Sequence, residues 1–169
     1  MVNYWIIPPY YSGKPAVFDR VWQYDRDHGT IAMGWERLGS EIKELARLDR
    51  KILRERITDY YPARHVITRG IDATEIKRLY QEIQIGDTIL ARRGCGEMLA
   101  EGRVTKTACY DQGKGEARAG AGNEVYPNFL KVEWTMNGKR FVKRNSFSQN
   151  TIVKKTEPDY RRILDSPTL

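Results

Sequence analysis

Histidine, cysteine and long apolar runs are scarce in this chain, and each scarcity removes a class of function. The 169 residues hold two histidines, His28 and His65, and two cysteines, Cys95 and Cys109. The cysteines form no CxxC, and no Cys/His spacing has the form of a zinc site. No stretch nears the roughly 20 apolar residues of a membrane span. Met1-Val-Asn-Tyr-Trp5 lacks the basic segment and apolar run of a signal peptide. A cytoplasmic protein without disulfides or a membrane partner is therefore expected. There is no GxSxG, Walker loop, HExxH or paired-carboxylate motif with a basic partner. Gly113-Lys-Gly115 has no strand-to-helix context, so it is not a phosphate loop. A chain that is not itself an enzyme and needs no metal or cofactor is the expectation.

What the chain does have is basic charge and aromatic rings. Twenty-nine Lys and Arg against 22 Asp and Glu leave a net charge of +7, with 4 Trp, 10 Tyr and 4 Phe. Basic side chains release counterions from phosphates, so a polyanionic partner is favoured. Rings in a basic setting suit a flat ligand, of which a nucleobase is the obvious candidate. The length fits one domain with a real core.

Periodicity orders the elements. Tyr4 to Ile7 reads as a strand stopped by Pro8-Pro9, and Pro15 to Tyr24 as a helix with Phe18 and Trp22 at i,i+4. Gly29 breaks it before a strand over Thr30 to Met33. A long amphipathic helix is predicted from Ser40 to about Ile57. Asp72-Ala-Thr-Glu75 has the logic of a capping box opening another helix. Thr88 to Arg92 and Leu99 to Thr105 read as strands around Gly94-Cys-Gly96. Lys114 to Gly122 reads as a mobile Gly/Ala-rich loop. Leu130 to Thr135 alternates, Asn137-Gly138 signals a hairpin into Arg140 to Lys143, Thr151 to Lys154 is a last strand, and Pro158 starts a terminal helix. This is an α+β pattern: a small curled mixed sheet or barrel with helices packed around it, as one domain over 1–169.

Each candidate residue has two readings at this level. Trp35, after Gly34 at a strand end, is a core tryptophan or the wall of a cleft. Tyr126, before Pro127 at a strand entrance, packs a loop or lines a pocket. Trp5 and Trp134 read as core. Arg92 and Arg93 at a glycine turn, and Lys139, Arg140, Lys143 and Arg144 around the Asn-Gly hairpin, are solvated ends or contacts to a nucleic-acid backbone.

Several segments carry a family resemblance. Tyr4-Trp-Ile-Ile-Pro8, Ile31-Ala-Met-Gly-Trp35, Ile85-Gly-Asp-Thr-Ile-Leu-Ala-Arg92 with Gly102-Arg-Val104, Tyr126 to Trp134 with Val132, and Asn145 to Ile152 follow in an order that resembles the EVE and YTH domains of the PUA-like superfamily. The chain looks most like the N-terminal DNA-binding domain of McrB-type, modification-dependent restriction proteins. The resemblance implies a PUA-like fold, with a helical insertion near 40–82. It also implies a methylated base, methyladenine or methylcytosine, flipped into an aromatic cage walled by Trp35 and Tyr126. The third wall of a YTH-like cage would fall on Ala121, so Tyr110, Trp22 and Tyr10 are the candidates to replace it. Pro8-Pro9 stands where these families commonly have Lys-Ser, so the contacts to the base edge do not carry over. The implied partner is modified double-stranded DNA, with modified RNA as the alternative. The implied context is fusion to, or assembly with, an AAA-type GTPase motor.

Overall fold

A computed structural model describes residues 1–135, 140–141, 147 and 151–166. The strands are β1 (Tyr4–Ile7), β2 (Thr30–Met33), β3 (Thr88–Arg93), β4 (Glu97–Tyr110), β5 (Asn128–Thr135), β6 (Arg140–Phe141) and β7 (Val153–Lys155). The helices are α1 (Pro15–His28), α2 (Ile42–Leu45), α3 (Arg50–Tyr60), α4 (Val66–Lys77), α5 (Gln112–Ala119) and α6 (Glu157–Leu164). The strands form one mixed sheet in the order β2-β5-β4-β3-β1-β7, with β6 also on β4. Only β1 and β3 run parallel among the described pairs. The α+β class is as the pattern predicts. The sheet is open, because no described pairing joins β2 to β7.

Alternation along β1 loads both faces of the sheet. Trp5 and Ile7 join Phe18, Val21 and Trp22 of α1 and Leu53, Ile57 and Ile76 of α3 and α4 in the main core. Ile6 points the other way, with Leu90 and Met98, onto Tyr160 and Ile163 of α6. Asp87 of the Gly86-Asp87 pair is buried and ties β1 to the approach of β3. It accepts from Asn3 N at 3.0 Å, Trp5 Nε1 at 2.8 Å and Gln84 N at 3.0 Å. Gly102 allows β4 and β5 to touch, since a Cβ there would lie 2.4 Å from Val132 Cγ1 and 2.7 Å from Trp134 Cε3.

Three expectations are corrected. The helix expected from Ser40 to Ile57 is broken into a 3-10 turn (Glu36–Glu41), α2 and α3, with Asp49 capping α3 through a bond from Lys51 N at 2.8 Å. Asp stabilises a helix start better than a helix interior, so a new helix begins there. Asp72 opens no helix: α4 starts earlier, with His65 as its cap, and Asp72 lies inside it. Lys114 to Gly122 is no loop for most of its length, because α5 covers Gln112–Ala119 from an Asp111 cap.

Pairing of β2 with β5 positions the site. Met33, the last residue of β2, sits opposite Asn128, the first of β5. In an antiparallel pair the chain leaving one strand lies beside the chain entering the other. Gly34-Trp35 therefore comes next to Tyr126-Pro127.

Candidate functional site

Trp35 leaves β2 with φ 62° and ψ 40°, the only non-glycine residue at positive φ among those described. A bulky residue in the left-handed region costs about 1–3 kcal/mol and persists only where its surroundings hold it. Here they do. The indole Nε1 donates to Asp72 Oδ1 at 2.9 Å, and Leu38 N donates to the Trp35 carbonyl at 3.1 Å. Arg64 donates to the other Asp72 oxygen and lies 4.3 Å over the Tyr61 ring. Asn128, fully buried, fixes the chain just before the indole. Its Nδ2 donates to the Gly34 carbonyl at 2.5 Å, and its Oδ1 accepts from the Tyr80 hydroxyl at 2.5 Å.

Tyr126 is held in place by α5. A Cβ on Gly115 of α5 would lie 2.8 Å from Val125 Cγ1 and 3.1 Å from Pro127 Cα, so only glycine lets α5 lie this close to the Tyr126 segment. The Tyr126 ring meets Tyr10 at 4.7 Å between centroids, tilted by 37°. Tyr10 is fixed in turn by its hydroxyl, which donates to the Glu124 carbonyl at 2.7 Å. Burial, with Glu124 and Tyr10 nearby, pushes the Tyr126 phenol well above its ordinary pKa. Tyr126 is therefore a neutral ring.

Trp35 and Tyr126 line one cavity of about 350 Å³, within the range of small-ligand sites. Its polar wall comes from α4, which sends Thr68, Asp72 and Glu75 into it along one helical face. Glu75 is 3% exposed, and its Oε1 accepts from Thr151 N at 2.7 Å and Ile152 N at 3.2 Å. Burial pushes the Glu75 carboxyl up, and the two backbone N–H bonds pull it back. A second cavity of about 390 Å³ adjoins, sharing Tyr126 and Thr151, with Tyr10, Tyr11 and Arg92 in its lining. The lining brings together two aromatic residues, carboxylate acceptors and a guanidinium. No cluster of three His, Cys, Asp or Glu that could hold a metal occurs among the described residues.

A family model described as "Domain of unknown function (DUF8426)" matches residues 12–156. The chain belongs to this family. The match takes in Trp35, Tyr126 and the three α4 side chains. No curated protein matches the chain. Among solved structures it is similar to the YTH domain of Zygosaccharomyces rouxii MRB1 protein, crystallised in complex with N6-methyladenosine RNA. That likeness has a TM-score of 0.48 and 11% identity, and covers 99% of this chain and 90% of that one.

The residues singled out in the sequence fall in different places in this DUF8426 chain. Trp35 and Tyr126 come together, and Tyr10 stands against Tyr126. Trp22 and Tyr110 do not join them. Trp22 is a core residue packed edge-on against Trp134 at 5.2 Å, and the Tyr110 hydroxyl donates to Gln112 Oε1 at 3.0 Å. Arg92 and Arg93 diverge, as neighbours in a strand must. Arg92 is buried beside the second cavity, with Nη1 donating to the Gly94 carbonyl at 2.6 Å. Arg93 pairs with Asp19 at 2.9 Å and lies 4.5 Å over the Phe18 ring. Lys139, Lys143 and Arg144 lie outside the described residues, and Arg140 is described as backbone in β6. Asp72, Glu75, Arg64 and Asn128 were missed as site residues. The signal for the first two was there: polar residues at 68, 72 and 75 share one stripe of a helix.

Proposed function

We propose that this chain binds DNA carrying a methylated base and takes that base, flipped from the duplex, between Trp35 and Tyr126. The convergence of these two rings on one cavity, with Trp35 held in a strained conformation by Asp72, carries the reading. A base inside a stacked duplex exposes no face to such walls, so extrusion is required. Stacking on each ring supplies about 1–3 kcal/mol. A buried methyl adds roughly 0.8 kcal/mol. The net charge of +7 supplies the sequence-independent attraction to phosphate. The chain acts by binding alone. Its sequence resemblance to McrB-type proteins supports a role as the cytoplasmic target sensor of a restriction system, with motor and nuclease activities supplied elsewhere by an AAA-type GTPase assembly.

Flipping has a direct signature. A 2-aminopurine beside the methylated base in a duplex should brighten as the protein saturates it, because its stacking partner leaves. An unchanged emission at saturation would mean the base stays in the helix. Methylated RNA bound more tightly than methylated DNA would reassign the substrate and leave the cavity in place.

A further inference from the structure

We infer that Glu75 reads the amino edge of the bound base, so that the cavity takes methylated adenine or cytosine and rejects bases with a keto group at that position. This rests on the reading of the cavity as a base pocket.

Of the two carboxylates that α4 sends into the cavity, Asp72 has a donor at each oxygen: Oδ1 takes the Trp35 indole and Oδ2 takes Arg64. Glu75 is committed at one oxygen only. Oε1 accepts both backbone N–H groups of Thr151 and Ile152, and Oε2 accepts no hydrogen bond from a described residue. Glu75 is 3% exposed, and it lines the same cavity as both rings. Oε2 is not among the buried atoms that lack a partner, so it is an acceptor accessible to a ligand, and a ligand N–H aimed at it gains a hydrogen bond to a charged group. The exocyclic N6–H of adenine and N4–H of cytosine are such donors, whereas the O4 of thymine and O6 of guanine are acceptors. An acceptor placed against Oε2 gains no hydrogen bond there and sets two electron-rich oxygens against each other, so it is disfavoured. Methylation is compatible where one amino N–H remains, as in N6-methyladenine, N4-methylcytosine and 5-methylcytosine.

The test uses short single strands with one variable base, so that no pairing partner enters. 5-Methylcytosine is compared with thymine, which keeps the 5-methyl group and replaces the amino group by oxygen. N6-methyladenine is compared with N6,N6-dimethyladenine, which has lost its last amino N–H. Unmodified cytosine and adenine strands report whether the methyl group is read at all. Wild type should bind the N–H-bearing member of the tighter pair about tenfold to a hundredfold better. Glu75→Gln is the informative variant. Its carbonyl oxygen still accepts from Thr151 N and Ile152 N, so the fold is kept, and its NH2 then faces the cavity as a donor. The preference should vanish in Glu75→Gln, with thymine gaining on 5-methylcytosine and thermal melting unchanged. A wild type that reads the methyl group but binds both members of each pair alike overturns the inference and leaves the base pocket standing. So does a folded Glu75→Gln that keeps the full preference. A wild type that does not distinguish methylated from unmodified strands overturns the base-pocket reading and this inference with it.

Discussion

Trp35→Ala should abolish the preference for a methylated base and also cost about 3–5 kcal/mol of folding stability. Both losses follow from one residue having two roles. Trp35 lines the cavity, and the residue, 7% exposed, is part of the core and donates to Asp72. Two further substitutions separate the roles. Trp35→Phe keeps a stacking face and loses the Nε1–H to Asp72, a bond to a charged acceptor worth about 1.5–3 kcal/mol. It should keep most of the discrimination at reduced stability. Trp35→Gly should be more stable than Trp35→Ala by about 1 kcal/mol, the reverse of the usual order, because glycine alone is at ease at φ 62°. Denaturant midpoints measure all three. A glycine variant less stable than the alanine variant would show that Trp35 is not held in the left-handed conformation.

The second large effect lies beneath the aromatic wall. Arg118 of α5 and Asp25 of α1 form a fully buried pair, with Nε to Oδ1 at 2.8 Å and Nη2 to Oδ2 at 2.7 Å. Nη2 also donates to the Pro9 carbonyl at 2.6 Å, and Thr30 Oγ1 donates to Asp25 Oδ1 at 2.9 Å. One network thus joins the residue before Tyr10, the first residue of β2 and the helix that backs Tyr126. Arg118→Met should cost about 3–5 kcal/mol, because it strands a carboxylate in the core, and Asp25→Leu should cost a similar amount by stranding the guanidinium. The double variant Asp25→Leu/Arg118→Met should recover most of that loss, since a buried pair replaced by apolar residues of similar volume is often neutral. Double-variant stability equal to the sum of the two single losses would mean that packing rather than charge pairing holds this junction.

Much of the scaffold was legible in the sequence because strand alternation is a local signal. Thr30 to Met33, Thr88 to Arg92 and Leu130 to Thr135 all became strands. Trp35 and Tyr126 were legible only through the family resemblance; nothing local distinguishes either from a packing residue. What makes them meet is the Met33–Asn128 register, a long-range pairing that no local window contains. Helix α5 was hidden for a definite reason. Gly113 and Gly115 each lower helix propensity by about 1 kcal/mol, and the need for Gly115 appears only once the Val125 to Pro127 segment packs against it. Asp72 was hidden by its similarity to a cap. An Asp followed by Glu three residues later means a helix start by local rules, and here it is two acceptors on the buried face of a helix already under way.

Tyr126 gives the most direct test of the base pocket, because its side chain is half-buried where that of Trp35 is buried. No described hydrogen bond ends on its hydroxyl, and it lines the cavity and packs against Tyr10. The quantity to measure is the ratio of affinities for a duplex with one methylated base and the same duplex unmodified, at fixed salt, on proteins shown by melting to be folded. Wild type should show a clear preference for the methylated duplex. Tyr126→Phe should retain it, and Tyr126→Ala should lose about 1–3 kcal/mol of it, while binding to the unmodified duplex is largely kept. A folded Tyr126→Ala protein whose ratio equals that of wild type would contradict the assignment of this cavity to the base.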